Sequence, residues 1–256
     1  MREFKPDFKA QAEQIIQSVA QETVVPWTED FKPTGGWVTF DADMFTAWTH
    51  SLLPPAFARL VPDVRVPVGN MFFRNLVLPL ACARFAGLFV FQKQIGMMRA
   101  ALSMGPRRGS CSFNEPVCIP QIVENDGEVW MSLTPMEILT QRPGVRKAKG
   151  HVLVGGMGMG WFARRCCERK NVKSVTVYEI DADVAQAFRF EHPKLKVVVG
   201  DVWKADPEAF DSVLLDVWDS YGSAEGHPVL CDWKARHPRV WAWGDIGDWA
   251  MERSLY

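Results

Sequence analysis

Residues 151–160 read His151-Val152-Leu153-Val154-Gly155-Gly156-Met157-Gly158-Met159-Gly160, and run directly into Trp161-Phe162-Ala163-Arg164-Arg165-Cys166-Cys167. A short apolar run of this kind suits a strand buried in a parallel sheet. The glycines let the backbone turn sharply and approach a ligand with no Cβ in the way. The helix that follows would offer its unpaired N–H groups and partial positive charge to that ligand. The stretch therefore predicts strand, glycine turn and helix, the opening unit of a nucleotide-binding α/β fold. Alone, such a turn also suits plain tight packing of helix on strand.

The residues downstream decide between those readings. Val175-Thr176-Val177-Tyr178 predicts a second strand ending in Glu179-Ile180-Asp181. Glu179 lies 23 positions after Gly156, near the spacing of about 20 expected of a carboxylate that takes ribose hydroxyls. A third strand, Lys196-Val197-Val198-Val199, ends in Gly200-Asp201, and a fourth, Ser212-Val213-Leu214-Leu215, ends in Asp216-Val217-Trp218-Asp219. Successive strands thus end in glycine or an acid on the sheet edge where open α/β sheets bind ligands.

The dinucleotide frame G-x-G-x-x-G starting at Gly156 fails at Trp161, while a frame from Gly158 gives the looser G-x-G-x-x-A with Ala163. A dinucleotide thus stays open. No G-K-[ST] follows the glycines, which excludes a P-loop. The fuller pattern is G-x-G-x-G, made by Gly156, Gly158 and Gly160.

With these motifs the span from Glu128 to Tyr221 resembles the class I S-adenosylmethionine (SAM)-dependent methyltransferases, and within them the spermidine-synthase-like branch. The resemblance implies that Gly156, Gly158 and Gly160 cradle SAM and that Glu179 and Asp181 match the branch's E-x-D, whose acid holds the ribose. It further implies that Asp201, with Val202 beside it, lies at the adenine. Asp216 and Asp219 match a D-x-x-D whose acids, in aminopropyltransferases, bind and deprotonate an attacking amine. In methyltransferases the same strand end faces the methyl acceptor. The chain departs from the branch at Met159, where an Asp is usual, and at Ser220, where a proline is usual. Val154 stands where methyltransferases often carry an acid.

Outward from this unit, Thr134-Pro135-Met136-Glu137 carries the signature of a capped helix start, expected to run to about Gln141. Arg239-Val240-Trp241-Ala242-Trp243 predicts a further strand and Asp248–Leu255 a last helix, so a C-terminally truncated sheet is expected. The fold class is α/β: a Rossmann-like, mostly parallel sheet with helices on both faces, preceded by a mainly helical N-terminal region. Helices are expected near residues 8–19 and 43–53, a strand at Trp37–Phe40, irregular chain over Arg59–Gly69, and a buried helix pair over Met71–Met104. Gly105-Pro106-Arg107-Arg108-Gly109 places the boundary between domains 1–109 and 110–256.

A net charge of −1 and 48% hydrophobic residues describe a chain with a sizeable core and no general affinity for nucleic acid or anionic membranes. A local basic patch is left open; Arg142, Arg146, Lys147 and Lys149 read as solvated charges. The charge-free runs inside Met71–Met104 are too short for a bilayer span. Six cysteines without C-x-x-C spacing read as reduced thiols, so a cytoplasmic protein is expected. The five histidines share no ligand spacing, and no metal site is expected. The leading expectation is a SAM-dependent methyltransferase of unspecified small or macromolecular acceptor. An aminopropyltransferase using decarboxylated SAM is the alternative, and a non-catalytic Rossmann scaffold the third reading. A homo-oligomer stays open.

Overall fold

The computed structural model describes residues 23–32, 37–59, 65–78, 110–115, 117–124, 129–218 and 222–245. Its first elements are β1 (Val24–Val25), β2 (Trp37–Phe40), α1 (Ala42–Leu52), α2 (Pro55–Ala58), β3 (Val66–Val68), β4 (Met71–Leu78), β5 (Ser110–Phe113), β6 (Val117–Val123) and β7 (Val129–Ser132). There follow α3 (Pro135–Lys147), β8 (Gly150–Gly155), α4 (Trp161–Glu168), β9 (Val172–Glu179), α5 (Ala182–Phe188) and β10 (Leu195–Val199). The last are β11 (Ser212–Leu215), α6 (Pro228–Arg236) and β12 (Val240–Ala242).

β8 to β12 form one parallel sheet in the order β10-β9-β8-β11-β12. The strands alternate their side chains between two cores, as a pleated strand must. Val152, Val154 and Leu214 face a core shared with Ile138 of α3, Phe162 and Cys166 of α4, and Val184 and Phe188 of α5. Leu153, Val213 and Leu215 face the other, which holds Leu230 and Trp233 of α6. Helices therefore cover both faces, and the fold is Rossmann-like. β12 is the strand expected at Arg239–Trp243. The chain leaves β8 towards β9 on one side and later places β11 on the other, which makes the ends of β8 and β11 the switch point where such sheets open a crevice.

Ahead of this unit the described chain is richer in strands than the mainly helical expectation. The helix near 43–53 is present as α1, capped by Asp41, whose Oδ1 accepts the Met44 N–H at 2.8 Å, and β2 is the expected strand. Met71–Leu78, however, is no helix. It is β4, antiparallel to β3 and to β6; the rest of the expected helix pair, residues 79–104, lies outside the described residues. A short apolar run carries no period that separates a buried strand from a buried helix, and here strand pairing settles it. β3 likewise falls inside the segment expected to be irregular. The expected helices at residues 8–19 and 248–255 lie outside the described residues.

Strands from both sides of residue 109 share sheets: β5 pairs with β2, and β6 pairs with β4. Trp27, Phe40, Phe45 and Phe113 pack edge-on or tilted around one core, with Trp27 and Phe45 ring centroids 4.6 Å apart. Phe57 of α2 stacks on Phe188 of α5 at 5.0 Å and so fastens this layer to the parallel sheet. Among the described residues no helix is long and apolar enough to cross a membrane.

Candidate functional site

A cavity of about 400 Å³ opens at the switch point, within the range of small-molecule sites. Gly156 and Gly158 line it from the turn after β8, Glu179 from the end of β9, Asp201 and Val202 from the end of β10, and Asp216 from the end of β11. Gly156 has φ 91° and Gly158 φ 47°, backbone states that a side chain disfavours. A Cβ on Gly156 would collide with the Asp216 carbonyl oxygen, and one on Gly158 with the Met131 thioether. These glycines permit close approach as well as a tight turn.

Glu179 is buried, and its carboxylate bridges two backbone amides. Oε2 accepts the Met157 N–H at 2.8 Å and Oε1 accepts the Asp181 N–H at 2.9 Å. An ionised carboxylate has about four acceptor positions, so each oxygen keeps capacity for a hydroxyl donor from the cavity. Asp201 accepts the Trp203 N–H at 3.0 Å and caps a single 3₁₀ turn, Val202–Lys204. Beside it, Gly200 borders open space.

Two residues expected at the cofactor do other work. Gly160 is the N-cap of α4 and packs near the Phe188 carbonyl. The Asp181 carboxylate caps α5 by accepting the Asp183 and Val184 N–H groups, and it crowds Gly69. Neither lines the cavity. Asp219 lies outside the described residues.

The opposite wall carries a group that local sequence patterns conceal. The Thr134 hydroxyl accepts the Glu137 N–H at 3.3 Å, as a helix cap should. The Glu137 carboxylate does not return to the cap residue. It accepts from the Ser132 amide at 3.0 Å and the Ser132 hydroxyl at 2.8 Å, and it lines the cavity with Asp216. One turn on, the Gln141 amide donates to Asp216 Oδ2 at 2.6 Å. Glu137 and Gln141 are four apart on α3 and share a face, which is the sequence signal that would have found them.

Burial pushes the Asp216 carboxyl up to about 7. Glu137 is pushed up to about 8, by burial first and by the neighbouring Asp216 second, against the Ser132 hydrogen bonds that favour its ionised form. Near neutral pH this pair holds protons that free carboxyls have lost. Such a pair can hydrogen-bond a hydroxylic or amine group, and Asp216, the first to ionise, can take up a proton from it. Trp130, Trp203, Trp218 and Trp243 supply the apolar lining, with Trp203 stacked on His227 at 4.5 Å. No cluster of metal-ligating side chains occurs among the described residues.

No protein-family model and no curated protein matches the chain. Among solved structures, the crystal structure of the 23S rRNA methyltransferase ErmE aligns at 27% identity with a TM-score of 0.32. The aligned part covers 40% of this chain and 41% of that one.

Proposed function

We propose that the protein binds SAM in the switch-point cavity and transfers its methyl group to a nucleophile presented beside Asp216. The observation that carries this reading is the meeting of Glu179, the glycine turn and the Glu137–Asp216 pair around a single cavity. Glu179 retains acceptor capacity for vicinal ribose hydroxyls, while Asp201 and Val202 occupy the next strand end, where an adenine ring would lie. Bound SAM supplies a methyl group already activated by its sulfonium, so positioning is the main demand on the protein. Gln141 holds the Asp216 carboxyl in place, and Asp216, the first of the two acids to ionise, accepts the proton that the acceptor releases.

The convergence of two carboxyls favours a second reading, aminopropyl transfer from decarboxylated SAM to an amine. Calorimetry with both ligands on the wild type and on Glu179→Ala separates the cases. SAM binding that is lost in folded Glu179→Ala supports the first reading, and a marked preference for decarboxylated SAM promotes the second. If neither ligand binds folded protein at about 1 mM, an affinity worth only about 4 kcal/mol, the cofactor assignment is wrong and a ligand-free Rossmann scaffold takes its place.

A further inference from the structure

α3 carries a second set of side chains away from the cavity. Arg142 and Arg146 stand one turn apart on it, and Arg165 and Arg169 stand one turn apart across α4 and its end. The two rows border a groove of about 800 Å³, whose far wall is the chain from Glu29 to Lys32. Five cations line the groove against the two acids Glu29 and Asp30. The whole chain carries a net charge of −1, so this is a local concentration and not a share of general basicity.

The guanidinium groups are held in place. Arg142 donates to the Phe31 carbonyl at 2.6 Å and lies 4.7 Å over the Phe31 ring. Arg169 donates to the Ala148 and Arg146 carbonyls at 3.2 and 3.0 Å, and pairs with no carboxylate among the described residues. Arg165 pairs with Glu168 and, at 2.5 Å, with Glu29, yet its Nε is buried without a hydrogen-bond partner. Glu29 also accepts from the Trp161 indole at 3.4 Å. Its carboxylate shows how an anion sits in the groove.

We propose that this groove binds the phosphodiester backbone of a nucleic-acid strand. Arginine forks match phosphate oxygens in a way that point charges do not. Residues one turn apart along each helix are spaced by about 6 Å, so each row can meet successive anionic groups and not only a single ion. The two aromatic rings of the lining, Phe31 and Trp161, are both buried and cannot stack on bases. Contacts confined to phosphates position a strand without reading its sequence. Because α3 also carries Glu137 and Gln141 into the cavity, a strand in the groove would lie along the outer side of the cavity wall. The proposal does not depend on SAM.

The test is fluorescence anisotropy of a labelled single-stranded oligouridylate, without cofactor, over a salt series. Charge reversal at two exposed positions, Lys32→Glu with Arg146→Glu, should weaken binding at least about tenfold and flatten the slope of log affinity against log salt by about one to two. The thermal midpoint should fall by no more than about 2–4 °C, the worth of a charge change in the last turn of α3. Glu29→Gln removes the internal competitor for Arg165 and should strengthen binding about threefold or more, on the order of the worth of one ion pair. Competition with ATP and with inorganic phosphate separates a strand site from a small-phosphate site: displacement by either at concentrations matching the oligonucleotide's own affinity overturns the strand. Equal binding of polyglutamate, or affinity indifferent to the charge reversal, overturns the phosphate site itself.

Discussion

The Gln141 side-chain amide donates to Asp216 Oδ2 at 2.6 Å, joining the helix ahead of β8 to the loop after β11. Gln141 is itself buried, so the bond forms where water cannot readily replace it. It fixes the Asp216 carboxyl next to Glu137, and the two acids hold protons to a higher pH than they would in an unfolded chain.

That retention gives a pH signature with a definite sign. Glu137 is raised from 4.5 to about 8 and Asp216 from 3.8 to about 7. The folded state binds more protons between these values, so their contribution to stability is full below about pH 4 and is lost as pH rises towards 8. Glu137→Gln should flatten urea-measured stability across pH 5–8, recovering on the order of 1–3 kcal/mol at the alkaline end after allowance for water in the cavity. A variant whose pH profile parallels the wild type would show that Glu137 ionises normally.

Glu179 joins β9 to the glycine turn by accepting two backbone N–H groups, so its removal leaves two donors unpaired. Glu179→Ala should lose about 2–4 kcal/mol of stability in denaturant titrations, from a typical cost of about 1–3 for each orphaned group. Glu179→Gln keeps one acceptor oxygen and should lose about half as much. Equal losses for the two variants would mean that the single glutamine oxygen replaces neither bond.

Gly158 and Met131 form a second testable pair. Alanine at φ 47° costs about 1–2 kcal/mol from the backbone alone, and its methyl would strike the Met131 thioether. Met131→Ala should relieve the second cost and leave the first. A double-mutant cycle is expected to return a coupling of about 1 kcal/mol or more in favour of the double variant, whereas additive losses would place the whole effect in the backbone.

Gly144 lies inside α3 and faces the ring of Trp241, which a Cβ would meet at 2.5 Å. Alanine is about 1 kcal/mol better than glycine in a helix, yet crowding a packed core costs about 1–3 kcal/mol. The Trp241 ring is rigid and 2% exposed, so crowding wins and Gly144→Ala should lower the melting temperature. A rise would mean that the helix and β12 can separate at no cost.

The parallel sheet was legible because each of its signals is local. The strand-forming runs at 152–154, 175–178, 197–199 and 213–215, and the glycine or acid ending each one, are set within a few residues of chain. What escaped was set by distant neighbours. Met71–Leu78 has the composition of either element, and only its pairing with β6 makes it a strand. Pro143 and Gly144 look like the end of a helix, but α3 passes through both to Lys147, with the two residues buried against the sheet. Glu137 was hidden by a sufficient local reading, since the cap spacing explains its presence without a cavity. The motif of Asp181 points to a cofactor and does not announce the cap that its carboxylate makes on α5.

The pairing of β2 with β5 and of β4 with β6 bears on the order in which the protein assembles. About seventy residues separate Phe40 from its partner Phe113, and closing so long a loop costs entropy before any contact rewards it. Within the parallel sheet, β8 pairs with β9 and β9 with β10 across some twenty residues, and only the β8–β11 pairing spans about sixty. On a ribosome the early strands therefore wait with open edges until residue 123 has emerged, and such edges invite wrong partners. A fragment begun at residue 110 would inherit the same exposure in β5, which loses β2, and along the edge of β6 that β4 covers. Expression of the parallel-sheet unit alone should accordingly start after β7, at the Thr134 cap.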